Sequence, residues 1–126
     1  MATASVRYIV EDVDAAVEFY RDRLGFHVDM ASGPGFAALT KDGLRLLLNA
    51  PGAGGAGQAG GSEPQPGGWN RFQLTIDDLE ATVGRLRREG ARFRGDIVKG
   101  KGGSQILIED PSGNPVELFQ PNAATS

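Results

Sequence analysis

"VRYIVEDVDAAVEFYRDRLGF", residues 6–26, and "FQLTIDDLEATVGRLRREGAR", residues 72–92, are two versions of one pattern. Val10 aligns with Ile76, Asp12 with Asp78, Val13 with Leu79, Ala15 with Ala81, Val17 with Val83 and Arg21 with Arg87. Each copy opens on a short run of β-branched and apolar residues, which predicts a strand. Each then meets an Asp suited to N-cap a helix. Val13, Ala16, Val17, Tyr20 and Leu24 follow at helical spacing, and Leu79, Val83 and Leu86 do the same in the second copy. Gly25 and Gly90 stand where those helices end.

The ends of the two copies match as well. "KDGLRLLLNAP" finishes at Pro51 and "PSGNPVELFQP" at Pro121, with Gly43 and Gly113 in equivalent turns between strand-like runs. Between helix and hairpin each copy has room for one more strand, at residues 26–30 and 92–98. The chain therefore reads as α+β, with two tandem βαβββ modules over residues 1–51 and 69–126. The stretch between them, residues 52–68, is "GAGGAGQAGGSEPQPGG". It has no periodicity and reads as a flexible linker.

One helix covers only one face of a module's sheet. Two modules side by side would give a curved mixed sheet with the helices outside and an open concave face. Strand alternation says what each face carries. Val6, Tyr8 and Val10 turn to the first helix, which leaves Ser5, Arg7 and Ile9 on the open side. Phe72, Leu74 and Ile76 turn to the second helix, which leaves Arg71, Gln73 and Thr75 open. In "NPVELFQP", residues 114–121, Val116 and Leu118 share one face while Pro115, Glu117 and Phe119 share the other. A carboxylate in such an apolar strand needs a partner, because an unpaired buried charge is costly.

Composition narrows the function classes. The chain has 126 residues, 40% hydrophobic and 23% charged, as expected of a single globular domain. Its net charge of −3, with both signs mixed along the chain, argues against a nucleic-acid partner. No apolar run approaches the roughly 18 residues of a membrane span, and the first residues, "MATASVRYIV", carry no cleavage-like signal. Cysteine is absent, which fits a cytoplasmic location and removes thiol chemistry. The one histidine, His27, falls on the second strand and reads as a surface residue.

The paired βαβββ pattern, "VEDVDAAVEFYRDRLGF" and "EDPSGNPVELFQP" together resemble the vicinal oxygen chelate superfamily. This group includes glyoxalase I, extradiol dioxygenases, and fosfomycin- and bleomycin-resistance proteins. The resemblance spans nearly the whole chain except the linker. In metal-dependent members, ligands come from the first and last strands of both modules. Carried onto this sequence, those positions are Ser5, Leu47, Arg71 and Glu117. Only Glu117 is an ordinary ligand for a divalent metal, and such a site needs about three. The resemblance thus implies no metal and no cofactor. Arg71 and Glu117 are expected to form an ion pair where a metal would have stood. Two roles stay open for that pair: holding the modules in register, or orienting a ligand.

By the same resemblance, the preferred reading is a metal-free protein of the bleomycin-resistance type that sequesters a small aromatic or cationic molecule, such as an antibiotic. Its candidate binding residues are Ser5, Arg7, Phe36, Leu47, Trp69, Arg71, Gln73, Glu117 and Phe119, with rings to stack on a flat ligand. The alternative is a lyase, isomerase or dioxygenase-like enzyme of this fold, with Arg71 and Glu117 as candidate catalytic residues. A second alternative is an accessory or regulatory homologue. A homodimer is expected from the resemblance alone.

Overall fold

The computed structural model describes residues 4–53 and 63–122. Part of the expected linker, residues 54–62, lies outside the described residues. The elements run β1 (Ser5–Ile9), α1 (Val13–Glu18), β2 (His27–Ser32), β3 (Phe36–Lys41), β4 (Leu44–Asn49), β5 (Gln73–Thr75), α2 (Leu79–Arg88), β6 (Arg92–Lys99), β7 (Gly103–Glu109) and β8 (Pro115–Pro121). The βαβββ order is thus written twice. Each copy makes its own four-stranded mixed sheet, ordered β1-β4-β3-β2 and β5-β8-β7-β6. In both sheets the first strand lies parallel to the last, and the other pairings are antiparallel.

Local chemistry fixes the corners alike in both copies. Asp12 accepts from the Ala15 amide and Asp78 from the Ala81 amide, so each Asp satisfies one of the donors a helix start leaves unpaired. Gly43 and Gly113 take φ of +84° and +86° in the two hairpin turns, a conformation that costs glycine nothing. The second turn has an added brace. The carboxylate of buried Asp110 accepts from both the backbone and the side-chain amide of Asn114, at 2.9 and 3.0 Å. The "DPSGN" motif is therefore a turn lock that sets where β8 begins.

The first helix departs from the expected regular α pattern. Its α-helical part ends at Glu18, and residues Phe19–Arg23 form a π turn. Two adjacent aromatic residues in this turn, Phe19 and Tyr20, are both buried. Tyr20 meets Phe19 and Phe26 edge-on, at ring separations of 5.0 and 5.5 Å. The strand after it runs over His27–Ser32 rather than 26–30, because Phe26 is buried below the helix end, its amide donating to Tyr20 O.

By packing, the chain forms two compact units. The first comprises the described residues up to Gly67 with the hairpin tip Pro111–Gly113, where Ser112 Oγ accepts from the Glu11 amide. Its core sets Tyr8, Val10, Leu39, Leu46 and Leu48 against Val13, Ala16 and Tyr20. The second comprises Gly68–Asp110 and the residues from Asn114 on, with Leu74, Ile106, Ile108, Val116 and Leu118 under Leu79, Val83 and Leu86. Among the described residues no helix is long and apolar enough to cross a membrane.

Candidate functional site

Residues paired across a sheet project to the same side, so the register gives the face away from each helix. In the first sheet, Arg7, Leu47, Ala38 and Met30 form one row, and Ser5, Arg45, Thr40 and His27 the next. Asn49 and Phe36 stand in the row of Ile9. Arg7 Nη1 donates to Asn49 Oδ1 at 2.8 Å, Arg45 to Ser5 Oγ at 3.5 Å, and Thr40 Oγ1 to Asp29. Leu47 and Phe36 are half-buried. Expected residues Ser5, Arg7, Phe36 and Leu47 thus lie on the open face of this sheet. His27 is exposed beside Asp29, at 3.6 Å.

The second sheet carries the denser cluster. Gln73, Glu117, Leu107 and Arg94 form one row, and Thr75, Phe119, Gln105 and Val98 the next. Glu117 is 9% exposed. Its Oε1 takes a hydrogen bond from Arg71 Nε at 3.1 Å and lies in ion-pair contact with Nη2 at the same distance, and its Oε2 takes a hydrogen bond from Gln73 Nε2 at 2.7 Å. Both carboxylate oxygens are thus bonded, one of them to a guanidinium that supplies the opposite charge. Arg71 itself lies two residues before β5, which begins at Gln73. From there it also reaches Trp69 O through Nη1, at 3.3 Å.

Three participants had no signal in the sequence pattern. Arg94 donates from Nε to Glu109 Oε2 at 2.8 Å and from Nη1 to Gly68 O at 2.6 Å. Its guanidinium lies 4.6 Å from the centroid of the Trp69 ring, while Trp69 remains 68% exposed. The register of β6 breaks just after Arg94, with Gly95 at φ +86°, so a bulge bends the strand where this side chain leaves it. Gly103 is the third. A Cβ there would run into Gln120 O and come within 2.9 Å of Phe119 Cζ, so only glycine lets the Phe119 ring lie against the start of β7.

The donor set does not suit a divalent metal at the positions the fold uses. The first sheet offers Leu47 and the hydroxyl of Ser5, which already takes a bond from Arg45. The second offers Arg71 and a Glu117 whose oxygens are taken by Arg71 and Gln73. Among the described residues no group of three or more His, Asp or Glu is placed to hold a metal ion. The faces away from the helices carry arginines, amides and aromatic rings.

No curated protein is significantly similar to this chain. Solved structures are. A lactoylglutathione lyase from Agrobacterium tumefaciens shares 22% identity, with 95% of this chain and 94% of that one covered, at a TM-score of 0.73. A superfamily member from Sphaerobacter thermophilus shares 23% over 95% and 98% of the two chains, at 0.74. The antibiotic-binding protein TnmS3 from Streptomyces sp. CB03234 shares 25% over 97% and 98%, at 0.71. Residues 3–118 match the profile of one family, and the chain belongs to it: the Glyoxalase/Bleomycin resistance protein/Dioxygenase superfamily.

Proposed function

We propose that this chain is a metal-free binding member of the superfamily that sequesters a flat small molecule, an antibiotic being the leading class. The observation that carries the reading is Glu117. At the position where metal-dependent relatives of this fold place a ligand, its carboxylate is satisfied by Arg71 and Gln73. The half-buried Phe119 and the exposed Trp69 flank that cluster, and rings so placed supply affinity to planar ligands. The likeness to TnmS3, itself an antibiotic-binding protein, supports the same reading. Binding involves Arg71, Gln73, Glu117, Trp69 and Phe119 on the second sheet; Ser5, Arg7, Phe36 and Leu47 are the candidates on the first sheet, taken by itself. Two copies of the chain associate in the working protein.

A thermal-shift screen of antibiotics and aromatic metabolites tests this directly, run beside elemental analysis of protein purified without an affinity tag. The expected result is saturable stabilisation by at least one flat compound, undiminished by chelator, with no stoichiometric metal. Stoichiometric zinc, iron, nickel or manganese that stabilises the fold would overturn it. Sedimentation of a single monomeric species would refute the association of two copies.

A further inference from the structure

We propose that the open face of the second sheet selects planar anions over planar cations, and that Arg94 sets this preference by backing Trp69. This rests on the reading that the face binds a flat small molecule, and it narrows the ligand class.

The argument begins at the indole. An aromatic ring attracts cations to its face because its quadrupole is negative there. One side of Trp69 is already occupied by the Arg94 guanidinium, 4.6 Å from the ring centroid. Glu109 and the Gly68 carbonyl hold that guanidinium in place, and its side chain is 19% exposed. Arg94 draws the ring's electron density toward itself. A cation stacking on the remaining surface would meet a weakened quadrupole with a positive charge behind it. A planar anion meets the reverse. Because Arg94 is fixed by three partners, the platform is ordered before any ligand arrives, which lessens the entropy lost on binding.

The charges around the ring point the same way. Two carboxylates lie on this face, Glu109 and Glu117, and each is engaged by an arginine. Three arginines share the face: Arg71, Arg94 and the exposed Arg92, which pairs with Glu109 in the register. Among the described residues, the two carboxylates that this face offers a ligand ammonium are each already paired with an arginine. A ligand carboxylate, sulfonate or phenolate finds a guanidinium at Arg92 and a surplus of positive charge. The chain's net charge of −3 does not describe this face, where Glu109 and Glu117 are each set against an arginine and Arg92 is added to them. At physiological salt, charges beyond about 8 Å are largely screened, so the local arginines govern.

Trp69 is the chain's one tryptophan, so its emission reports on the platform alone. The test titrates the full chain with anthracene-2-carboxylate and, separately, with 2-(aminomethyl)anthracene, which carries the same ring and the opposite charge. The carboxylate should quench Trp69 saturably and bind about tenfold more tightly than the amine. Added salt should weaken the carboxylate and not the amine. Arg94→Gln should bring the two affinities to within about threefold, and the anisotropy of the Trp69 emission should fall as the indole loses its backing. Arg94→Lys should keep the anion preference while still lowering the anisotropy, because a lysine keeps the charge without the fork. Should Arg94→Gln fail to fold, Arg92→Gln carries the test, with part of the preference lost. An amine that binds as tightly as the carboxylate would overturn the selectivity and leave the flat-ligand reading standing. Neither probe binding would overturn both. A preference unchanged in the arginine variants would overturn the role given to them.

Discussion

Removing Arg71 should cost more stability than removing Glu117, although the two are partners in one ion pair. The asymmetry follows from what each change leaves behind. Arg71→Met strands a Glu117 side chain that is 11% exposed, with Gln73 as its remaining partner in the cluster. Glu117→Leu strands an Arg71 side chain that is 29% exposed, free to turn toward water and still near Trp69 O. Breaking a buried pair typically costs about 3–5 kcal/mol. Arg71→Met belongs near the lower end of that range, at about 3 kcal/mol, because Gln73 still supplies one hydrogen bond. Glu117→Leu should cost about 1–2 kcal/mol, since a solvent-reachable guanidinium recovers much of its hydration. The double change removes both charges and should cost no more than the worse single change, giving a coupling energy of about 2 kcal/mol. Urea denaturation of the four proteins measures all three quantities, provided the slope against urea stays constant. Additive single effects would show that the pair contributes nothing as a unit. A costlier Glu117→Leu would show that burial of the carboxylate is not what governs the cluster.

Further outcomes follow from the same geometry. Gly103→Ala should destabilise by at least about 2 kcal/mol, because the new methyl meets backbone on β8 that cannot move aside; a urea midpoint unchanged from the native chain would refute the close approach. Asp110→Ala should cost about 2–3 kcal/mol by releasing both amides of Asn114, and Asp110→Asn clearly less, in the same assay. Asp78→Ala should cost about 1 kcal/mol through loss of the N-cap bond to Ala81, read as a lowered thermal midpoint. Trp69→Leu should leave the thermal midpoint nearly unchanged, since the ring is largely exposed, while weakening any flat ligand that the screen identifies.

What the sequence disclosed and what it hid have physical reasons. Repetition carried the fold: a capping Asp, a helical stripe and a turn glycine recur in order, and each is dictated by short-range chemistry. Strand alternation likewise placed Gln73, Glu117 and Phe119 on one face, because the side-chain period of a strand is fixed, whereas Arg71 reaches Glu117 from the segment before β5. The π turn at Phe19–Arg23 was hidden, since the helical stripe runs through it and no residue in it announces a change of hydrogen-bond spacing. Arg94 and Glu109 were hidden for a different reason. They meet through the β6–β7 register, and that register contains a bulge whose position no periodicity announces. Gln73 was legible as an open-face residue, but its bond to Glu117 depends on the β5–β8 pairing across 44 residues of chain.

The cluster around Glu117 also explains why an acid can stand at that strand position without a metal. A carboxylate held by a metal takes its compensating charge from a point cation and imposes a coordination geometry on its neighbours. Here the compensating charge is a guanidinium with five N–H donors, and those donors need acceptors of their own. One goes to Glu117, with Nη2 in ion-pair contact beside it, and another to the Trp69 carbonyl. Arg94 repeats the arrangement from the other side, spending its donors on Glu109 and the Gly68 carbonyl. The Gly68–Trp69 segment is thereby fastened by two arginines, each anchored in turn by a carboxylate of the sheet. Pairing the sheet's acids with arginines thus does more than neutralise them. It ties down the backbone on which the exposed indole is mounted, so charge compensation in the sheet and the presentation of an aromatic surface are parts of one construction.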